Sequence, residues 1–252
     1  MTEPVTLSTA GTIAIIEINN PPVNALSQAV RQGLYDAVIQ ADADTEITAI
    51  VIIGAGRSFP AGADIKEFDQ PMQDPQLPDV IDRIENCEKP VVAALHGTAL
   101  GGGFEIALAC DLIIASENAR FALPEPKVGL AALAGGMHRL PRQIGMKRAM
   151  GMMLTGRTVE AQEGLSLGFV NEVVAHEDLM DSAKKWAESI MECSPTSVRT
   201  TKDVAMSGLS YASVETAMEQ KYDSVLDLFK GEDFVEGPLA FSEKRKPNWT
   251  GK

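Results

Sequence analysis

Apolar and polar positions alternate in the first fifty residues in a way that predicts a hairpin followed by a helix. Two β-rich runs, residues 5–9 and 13–18, are joined across Ala10-Gly11, which is the pattern of two antiparallel strands and a tight turn. Apolar residues then recur at helical spacing behind Ser27, a suitable N-cap residue. This spacing predicts a helix that ends at about Asp42.

Three short runs further along the chain, residues 48–53, 91–95 and 112–115, are apolar apart from Thr48. A continuous apolar run of this length favours a strand that is covered on both faces. Between the second and third runs lie Gly101-Gly102-Gly103 and an apolar stretch at residues 104–109. We expect this stretch to be a short buried helix that begins at the glycines.

Helical spacing dominates from about residue 145, and only residues 170–174 are typical of a strand there. Residues 69–79 contain three prolines and predict an irregular surface segment, followed by a helix that ends before Pro90. The predicted later helices cover residues 146–154, 159–165, 179–192, 196–206, 214–229 and 234–244. The chain therefore divides into a β/α core at residues 1–195 and a helical portion at residues 196–252.

Composition excludes several classes of function. The 252 residues carry a net charge of −13 and a pI near 4.7, which argues against nucleic-acid binding, because that needs a basic surface. The apolar runs are too short to span a bilayer and no signal-peptide pattern is present, so we expect a cytoplasmic protein without a membrane partner. Cys87, Cys110 and Cys193 are widely spaced, which favours free thiols over a metal site or a cysteine nucleophile.

Two glycine-containing segments follow buried strands and could present backbone N–H groups. Gly62 lies in residues 59–64, and Gly101-Gly102-Gly103 opens the short apolar helix. The first N–H groups of a helix have no intrahelical partner and lie at its positive end. Two such donors that converge on one oxygen would form an oxyanion hole. The alternative is that each segment is simply a tight turn.

Two glutamates stand out because their neighbours are apolar. Glu105 lies on the short helix, and Glu125 follows Leu123-Pro124. Burial of an unpaired carboxylate lowers the stability of the fold by roughly several kcal/mol. Such a group therefore needs a hydrogen-bonding or charged partner, a raised pKa or a functional role. Two carboxyl groups in apolar settings, one protonated and the other ionised, can act as acid and base on one substrate. The alternative is a pair of structural glutamates, with Glu125 bonded to Lys127 or Arg139.

The motifs in sequence order resemble the enoyl-CoA hydratase/isomerase (crotonase) superfamily. The resemblance covers nearly the whole chain, and its motifs lie at residues 58–67, 96–111, 121–140, 154–171 and 241–247. It implies an α/β fold, a ClpP-like spiral of ββα units that forms the core, with a helical C-terminal trimerisation portion. It also implies an acyl-CoA substrate.

The resemblance assigns a role to each of the features above. The N–H groups of Ala63 and Gly102 would form the oxyanion hole for the thioester carbonyl. Glu105 would match the family glutamate that deprotonates water at the β-carbon, and Glu125 the one that exchanges the α-proton. Members that keep both glutamates tend to be hydratases, so the expected activity is that of a hydro-lyase, the enoyl-CoA hydratase. No metal and no cofactor besides the substrate's own coenzyme A are expected.

Contacts to coenzyme A and the assembly are implied in the same way. The family places near the nucleotide the residues that match Ala61, Asp64, Ile65, Lys66, Phe241 and Lys244, the last two often from a neighbouring subunit. A homotrimer, or a hexamer made of two trimers, is the expected assembly. From the residues alone, the cluster Lys244-Arg245-Lys246 could equally be a solvated helix end.

The third motif departs from many hydratases. Residues 131–134 are Ala-Ala-Leu-Ala where those enzymes have a Pro-Gly stretch, and Pro126 directly follows Glu125. Residues 123–127 and 139–142 look closer to carnitinyl-CoA dehydratase-like members. The alternatives to a hydratase are therefore a carnitinyl-CoA dehydratase-type activity, an enoyl-CoA isomerase, or a non-catalytic acyl-CoA-binding subunit.

Overall fold

The core of the computed structural model, which describes residues 3–67, 69 and 71–252, contains a six-stranded sheet. Its strands follow the spatial order β1-β2-β3-β4-β6-β9. The pair β1 and β2 is antiparallel and the other four pairs are parallel. The bounds are β1 Val5–Ala10, β2 Ile13–Ile18, β3 Ala49–Gly54, β4 Val91–Leu95, β6 Leu112–Ser116 and β9 Glu172–Val174. The predicted hairpin and the three apolar strands are confirmed.

Both faces of this sheet are covered, as the continuous apolar strands predict. Along β3, Val51 packs with Ala183 and Ala187 of the helix α7, whereas Ile50 and Ile52 belong to the larger core on the opposite face. Successive side chains of a strand point to opposite faces, so one uninterrupted apolar run serves both layers. The sheet is therefore the central layer of the molecule.

A second, three-stranded sheet consists of β5 Thr98–Leu100, β7 Arg120–Ala122 and β8 Val159–Glu160. Leu100 pairs with Ala122 in parallel register, and the Gly101 N–H donates to the Ala122 carbonyl at 2.9 Å. The chain ends after β5 and β7 therefore lie side by side. The predicted helix at 159–165 is wrong at its start, because residues 159–160 pair with β7 and the helix begins at Ala161.

Seven helices of the described chain precede residue 195, and the short helix at the glycines is among them. They are α1 Gln28–Ala43, α2 Leu77–Glu85, α3 Gly102–Ala109, α4 Gly136–Ile144, α5 Met146–Thr155, α6 Ala161–Leu167 and α7 Leu179–Met191. A capping box formed by Gln76 and Asp79 begins α2, so the predicted irregular segment 69–79 is helical from Leu77 onward. Gln70 of that segment lies outside the described residues.

Four further helices form the C-terminal portion: α8 Pro195–Gly208, α9 Val214–Met218, α10 Asp223–Lys230 and α11 Glu232–Glu243. The single predicted helix at 214–229 is wrong, since α9 and α10 are separate. Lys202 of α8 joins this portion to the core, because its ammonium group donates to Asp111 Oδ2 at 2.8 Å and to the Lys89 carbonyl at 3.1 Å. The division at residue 195 remains a prediction.

The last residues of the chain are fastened by Asp233 at the start of α11. Its carboxylate is 3% exposed and accepts hydrogen bonds from the Ser194 hydroxyl at 2.8 Å and from the Thr250 N–H at 2.8 Å. Next to it, the Glu232 N–H donates to the carbonyl of Lys252 at 2.7 Å. One buried acid therefore ties the C-terminal residues to the junction between α7 and α8.

The described residues contain neither a membrane-spanning helix nor a metal-binding cluster. No helix there has both the length and the apolar character needed to cross a bilayer. No group of three or more histidine, cysteine, aspartate or glutamate side chains is placed to hold a metal ion.

Candidate active site

Glu105 is the acidic side chain of a helix that is otherwise apolar and completely buried. All eight residues of α3 are buried, and Glu105 itself is 3% exposed. Its Oε1 atom accepts a hydrogen bond from the Gly136 N–H at 2.9 Å. The carboxyl group is therefore held by the first turn of α4 and not by an ion pair.

The glycine run before Glu105 permits a close approach of two backbone segments. A Cβ at Gly103 would lie 1.7 Å from the carbonyl oxygen of Pro60, and one at Gly102 would lie 2.6 Å from Leu77 Cδ2. Gly101 has φ 51° and ψ −124°, a conformation that essentially only glycine adopts. These positions need glycine because α3 begins directly against residues 60–62.

Glu125 approaches the same turn from the other side. It begins a 3-10 helix, Glu125–Val128, just after β7. Its Oε1 atom lies 2.8 Å from the position of a Cβ on Gly101, and its Oε2 atom is buried without a hydrogen-bond partner. A buried carboxylate oxygen without a partner is costly unless a ligand or a proton completes it.

The ion pairs that would have made Glu125 a structural residue do not form. Arg139 bonds to Glu85 instead, at 2.5 and 2.7 Å. No ion pair joins Glu125 to Lys127 among the residues that the structure describes. The interpretation as two ion-paired glutamates is therefore wrong for both positions.

The two carboxyl groups are close enough to influence each other's protonation. The pKa of Glu105 rises from 4.5 to about 6, because burial, together with the negative charge of Glu125, raises it more than the Gly136 hydrogen bond and the positive charge of Arg139 lower it. Burial also raises the pKa of Glu125. Both carboxyl groups therefore hold a proton to a higher pH than an exposed glutamate does, which suits groups that give and take protons.

The two proposed amide donors lie on neighbouring segments. Gly62 Cα is 4.0 Å from the position of a Cβ on Gly101, and Leu26 forms a parallel bridge with Ala63. Within the described part of the chain, neither the Ala63 nor the Gly102 N–H donates to a protein acceptor. Both donors thus remain available on adjacent strands of backbone, next to Glu125.

The residues implied for coenzyme A form two groups. Ile65 and Lys66 are exposed in a 3-10 helix, Ile65–Glu67, and the half-buried Asp64 accepts the Lys66 N–H at 3.0 Å through Oδ1. The N–H of Ala61 is already bonded to the Val23 carbonyl at 3.1 Å.

The second group lies at the end of α11, where Phe241 is 87% exposed and Lys244 is exposed. In the described structure, no hydrogen bond or ion pair joins either residue to Ala61, Asp64 or Ile65. Arg245, between Lys244 and Lys246, is fully engaged with Glu236 and Glu243. Of the basic cluster, the two lysines and not the arginine are therefore candidates for a contact with coenzyme A.

Cavity size does not locate this site. A surface cavity of about 430 Å³ lies between β9 and α7 and is lined by Glu172 and Trp186, among others. A second, of about 330 Å³, lies on the small sheet at Leu100 and Arg120. Neither includes Glu105 or Glu125. We place the candidate site at the buried Glu105 and the half-buried Glu125, because carboxyl groups with raised pKa values are functional-site signals that an open groove lacks.

Sequence reasoning missed the residues that hold Glu105. Gly135 and Gly136 lie within the motif at residues 121–140, which by itself gives them no role, and Arg139 was considered only as a partner of Glu125. The hydrogen bond from Gly136 spans 31 positions in sequence, so no local pattern signals it. The unusual pair of adjacent glycines was the available hint of a close approach.

Comparison with known proteins agrees with this geometry. The family model described as Enoyl-CoA hydratase/isomerase matches residues 8–252. The chain therefore belongs to the enoyl-CoA hydratase/isomerase family, as the resemblance implied.

Relatives and solved structures match over nearly the full length. A probable enoyl-CoA hydratase from Bacillus subtilis (strain 168) is 36% identical over 248 residues, 95% of this chain and 96% of that protein. A carnitinyl-CoA dehydratase from Escherichia coli O157:H7 is 37% identical over 269 residues, covering both chains completely. The crystal structure of an enoyl-CoA hydratase from Mycobacterium tuberculosis H37Rv superposes with a TM-score of 0.93 at 36% identity, with both chains fully covered. The predicted crotonase fold is confirmed.

Proposed function

We propose that the protein is a hydro-lyase that reversibly adds water across the 2,3 double bond of an enoyl-CoA thioester. The observation that carries this proposal is a pair of carboxyl groups that interact electrostatically, Glu105 buried on α3 and Glu125 beside Gly101, with both pKa values raised and one Glu125 oxygen buried without a partner. Paired carboxyl groups of this kind suit a proton transfer on each side of a double bond.

The first step of the reaction follows from these groups. The thioester carbonyl accepts hydrogen bonds from the Ala63 and Gly102 N–H groups. Glu105 takes a proton from a water molecule, whose oxygen forms a bond to C3, and the double-bond electrons move toward the carbonyl to form an enolate. Each amide donor aimed at the enolate oxygen contributes about 3 kcal/mol in comparable sites.

The second step returns a proton. Protonated Glu125 gives its proton to C2, which restores the carbonyl, and the product is the 3-hydroxyacyl thioester. In the reverse direction Glu125 removes the C2 proton and protonated Glu105 assists the departing hydroxyl group. General acid–base catalysis of this kind contributes roughly 10²–10⁴-fold.

Substrate binding completes the proposal. Coenzyme A enters as part of the substrate, and the chemistry requires proton transfers only, so no separate cofactor is included. We assign the nucleotide to the exposed segment around Ala61–Lys66 and to Phe241 and Lys244 of a neighbouring subunit. This assignment requires a homotrimer or a hexamer in which the C-terminal helices form the contacts, and we place the enzyme in the cytoplasm.

A carnitinyl-CoA dehydratase-type activity is the second candidate. It is supported by full-length relatives of that name at 37% identity and by the atypical residues 131–134 in the third motif. The same two glutamates and amide donors would serve it, because removing water from a 3-hydroxyacyl thioester is the reverse of the reaction above. Only the acyl group differs between the two candidates.

The test is turnover of a substrate panel, followed at the absorbance band of the enoyl thioester. Crotonyl-CoA, longer, branched and aromatic enoyl-CoA esters, and crotonobetainyl-CoA are compared at equal enzyme concentration. We expect loss of the band with at least one of them, and Glu105→Gln to lower kcat by at least roughly 10²-fold. Glu117→Gln, an exposed carboxyl group at the end of β6, is the matched control and should retain wild-type rates.

Two outcomes would replace the proposal. Full double-bond isomerisation by Glu105→Gln, with activity lost in Glu125→Gln, would identify an isomerase. Tight binding of acyl-CoA esters without turnover of any member of the panel would identify a non-catalytic acyl-CoA-binding subunit.

A further inference from the structure

Arg139 of α4 reaches across to α2 and forms a two-pronged ion pair with Glu85. Its Nε atom donates to Glu85 Oε1 at 2.7 Å and its Nη2 atom donates to Oε2 at 2.5 Å. The two side chains are only 18% and 20% exposed. Bidentate arginine–carboxylate pairs combine strong hydrogen bonds with a fixed geometry, so this pair sets the distance between α2 and the start of α4.

The remaining nitrogen of the guanidinium group holds the turn before α4. Nη1 donates to the carbonyl of Ala134 at 3.2 Å. A Cβ at Gly135 would lie 1.9 Å from this same Nη1 atom, so the guanidinium plane rests directly on the glycine backbone. Arg139 therefore fixes Ala134 and Gly135 from one side.

Glu105 fixes the same turn from the other side. The Gly136 N–H donates to Glu105 Oε1 at 2.9 Å, and a Cβ at Gly136 would lie only 3.0 Å from Glu105 Cγ. The turn therefore has no free space toward Glu105. Any movement of Ala134 or Gly135 would move the amide that orients this carboxyl group.

We propose that Arg139 and Glu85 are positioning residues, which hold the turn at residues 134–136 against Glu105 and place a balanced pair of charges behind it. The kinetic part of this inference rests on the proposed function, in which Glu105 exchanges a proton with water. Its structural part does not. Arg139 acts in this proposal through the turn that it holds.

The charges of the pair act in opposite directions on Glu105. The charged groups that bear on this carboxyl group are Glu125 from the 3-10 helix and Arg139 from α4, while Glu85 of α2 partly neutralises Arg139. Asp111, just beyond α3, is bonded to Lys202 and faces away toward α8. Arg139→Gln removes a positive charge and should raise the pKa of Glu105, whereas Glu85→Gln exposes that charge and should lower it.

The experiment measures the protonation of Glu105 directly in the full-length enzyme without substrate. Carbon-13 NMR of glutamate-labelled protein is recorded against pH, and the Glu105 signal is assigned by its loss in Glu105→Gln. We expect Arg139→Gln to move the midpoint upward, because it removes a positive charge that lowers the pKa of Glu105. Glu85→Gln should move it downward.

Kinetics with the substrate found in the panel add a second readout. We expect kcat of Arg139→Gln to fall roughly 10²-fold with KM little changed, because displacement of an acid–base group by about 1 Å costs about this factor. Arg139→Lys keeps the positive charge but loses the bidentate hydrogen bonds to Glu85. The Glu105 midpoint should therefore stay near the wild-type value, while kcat should lie between those of Arg139→Gln and the wild type. If no substrate of the panel is turned over, the NMR titration still tests this proposal, because it is recorded without substrate.

Arg83→Gln is the matched control, because it breaks an ion pair between the same helix α2 and Asp42, on the α1 side. It should lower stability without moving the Glu105 midpoint. Equal midpoints in all variants, or movement in the same direction for Arg139→Gln and Glu85→Gln, would overturn the proposal. Should Arg139→Gln fail to fold, Glu85→Gln still decides the proposal, because a structural brace alone would leave the Glu105 midpoint unchanged in that variant.

Discussion

Glu125 occupies the space in which a side chain at position 101 would stand, since its Oε1 atom lies 2.8 Å from the Cβ position of Gly101. Gly101 therefore packs directly against Glu125, the residue proposed to exchange a proton with C2 of the substrate. Its backbone φ of 51° is equally unsuited to a residue with a side chain.

Replacement of Gly101 by alanine tests this relationship. The added methyl group would push the Glu125 carboxyl group away and strain the backbone. We expect kcat/KM to fall roughly 10²-fold, consistent with misplacement of an acid–base group. Gly151→Ala is the control, because nothing lies within 4 Å of its Cβ position inside α5. That variant should keep its activity and gain about 0.5–1 kcal/mol of stability. Equal activity of both variants would contradict the relationship.

Glu105→Gln should be more stable than the wild type at neutral pH. The pKa of Glu105 rises from 4.5 to about 6 on folding, so the native state holds the proton more tightly than the unfolded state does. Wild-type stability therefore decreases as pH rises through this window, by about 2 kcal/mol in total, and the glutamine variant escapes the loss.

Chemical denaturation at two pH values measures this difference. The advantage of Glu105→Gln should be about 2 kcal/mol above pH 6 and vanish below pH 4.5, where both states of the wild type are protonated. A variant that is less stable than the wild type at pH 7 would show that Glu105 is not held at an energetic cost.

Glu125→Gln should lower the pKa of Glu105. The negative charge of Glu125 is one of the causes that raise the pKa of Glu105 to about 6, and glutamine removes that charge while keeping the side-chain shape. The same carbon-13 titration follows the change. A Glu105 midpoint that stays in place would mean that the two carboxyl groups do not interact.

Asp233→Asn should loosen the C-terminal residues. The carboxylate accepts N–H groups of Thr250 and Gly251 as well as the Ser194 hydroxyl, and an amide loses part of this acceptor capacity. We expect a loss of about 1–3 kcal/mol, the cost of buried polar groups left without partners. Hydrogen exchange at residues 249–252 should increase in parallel. Asp227→Asn removes one side of an exposed ion pair at 3.9 Å and should change stability by less than about 1 kcal/mol.

The sequence was most informative where structure is determined by neighbours along the chain. The strand β4 begins and ends at the predicted residues, Val91–Leu95, because an apolar run bounded by Pro90 and Gly97 is a local signal. The glutamates and glycines of the candidate site were found in the same way, since a charged residue in an apolar stretch is visible without coordinates. Their roles in turnover remain predictions.

Pairing between distant segments was the information that the sequence lacked. The strands β5, β7 and β8 have two or three residues each, and they exist because Val159 pairs with Phe121 and Ala99 pairs with Phe121 from the other side. The helix α4 was missed because Gly135, Gly136 and Pro141 are usual signs of a loop. The Arg139–Glu85 pair crosses 54 positions, and only the folded chain brings it together.

The contact between Gly103 and Pro60 has a wider consequence. The two segments that carry the amide donors meet backbone to backbone, so their spacing does not depend on the size of any side chain. In the proposed enzyme, residues that line the acyl group can therefore be exchanged while the geometry of the proposed amide donors stays constant. Substrate specificity could in this way change during evolution without a change in the backbone of the reaction centre.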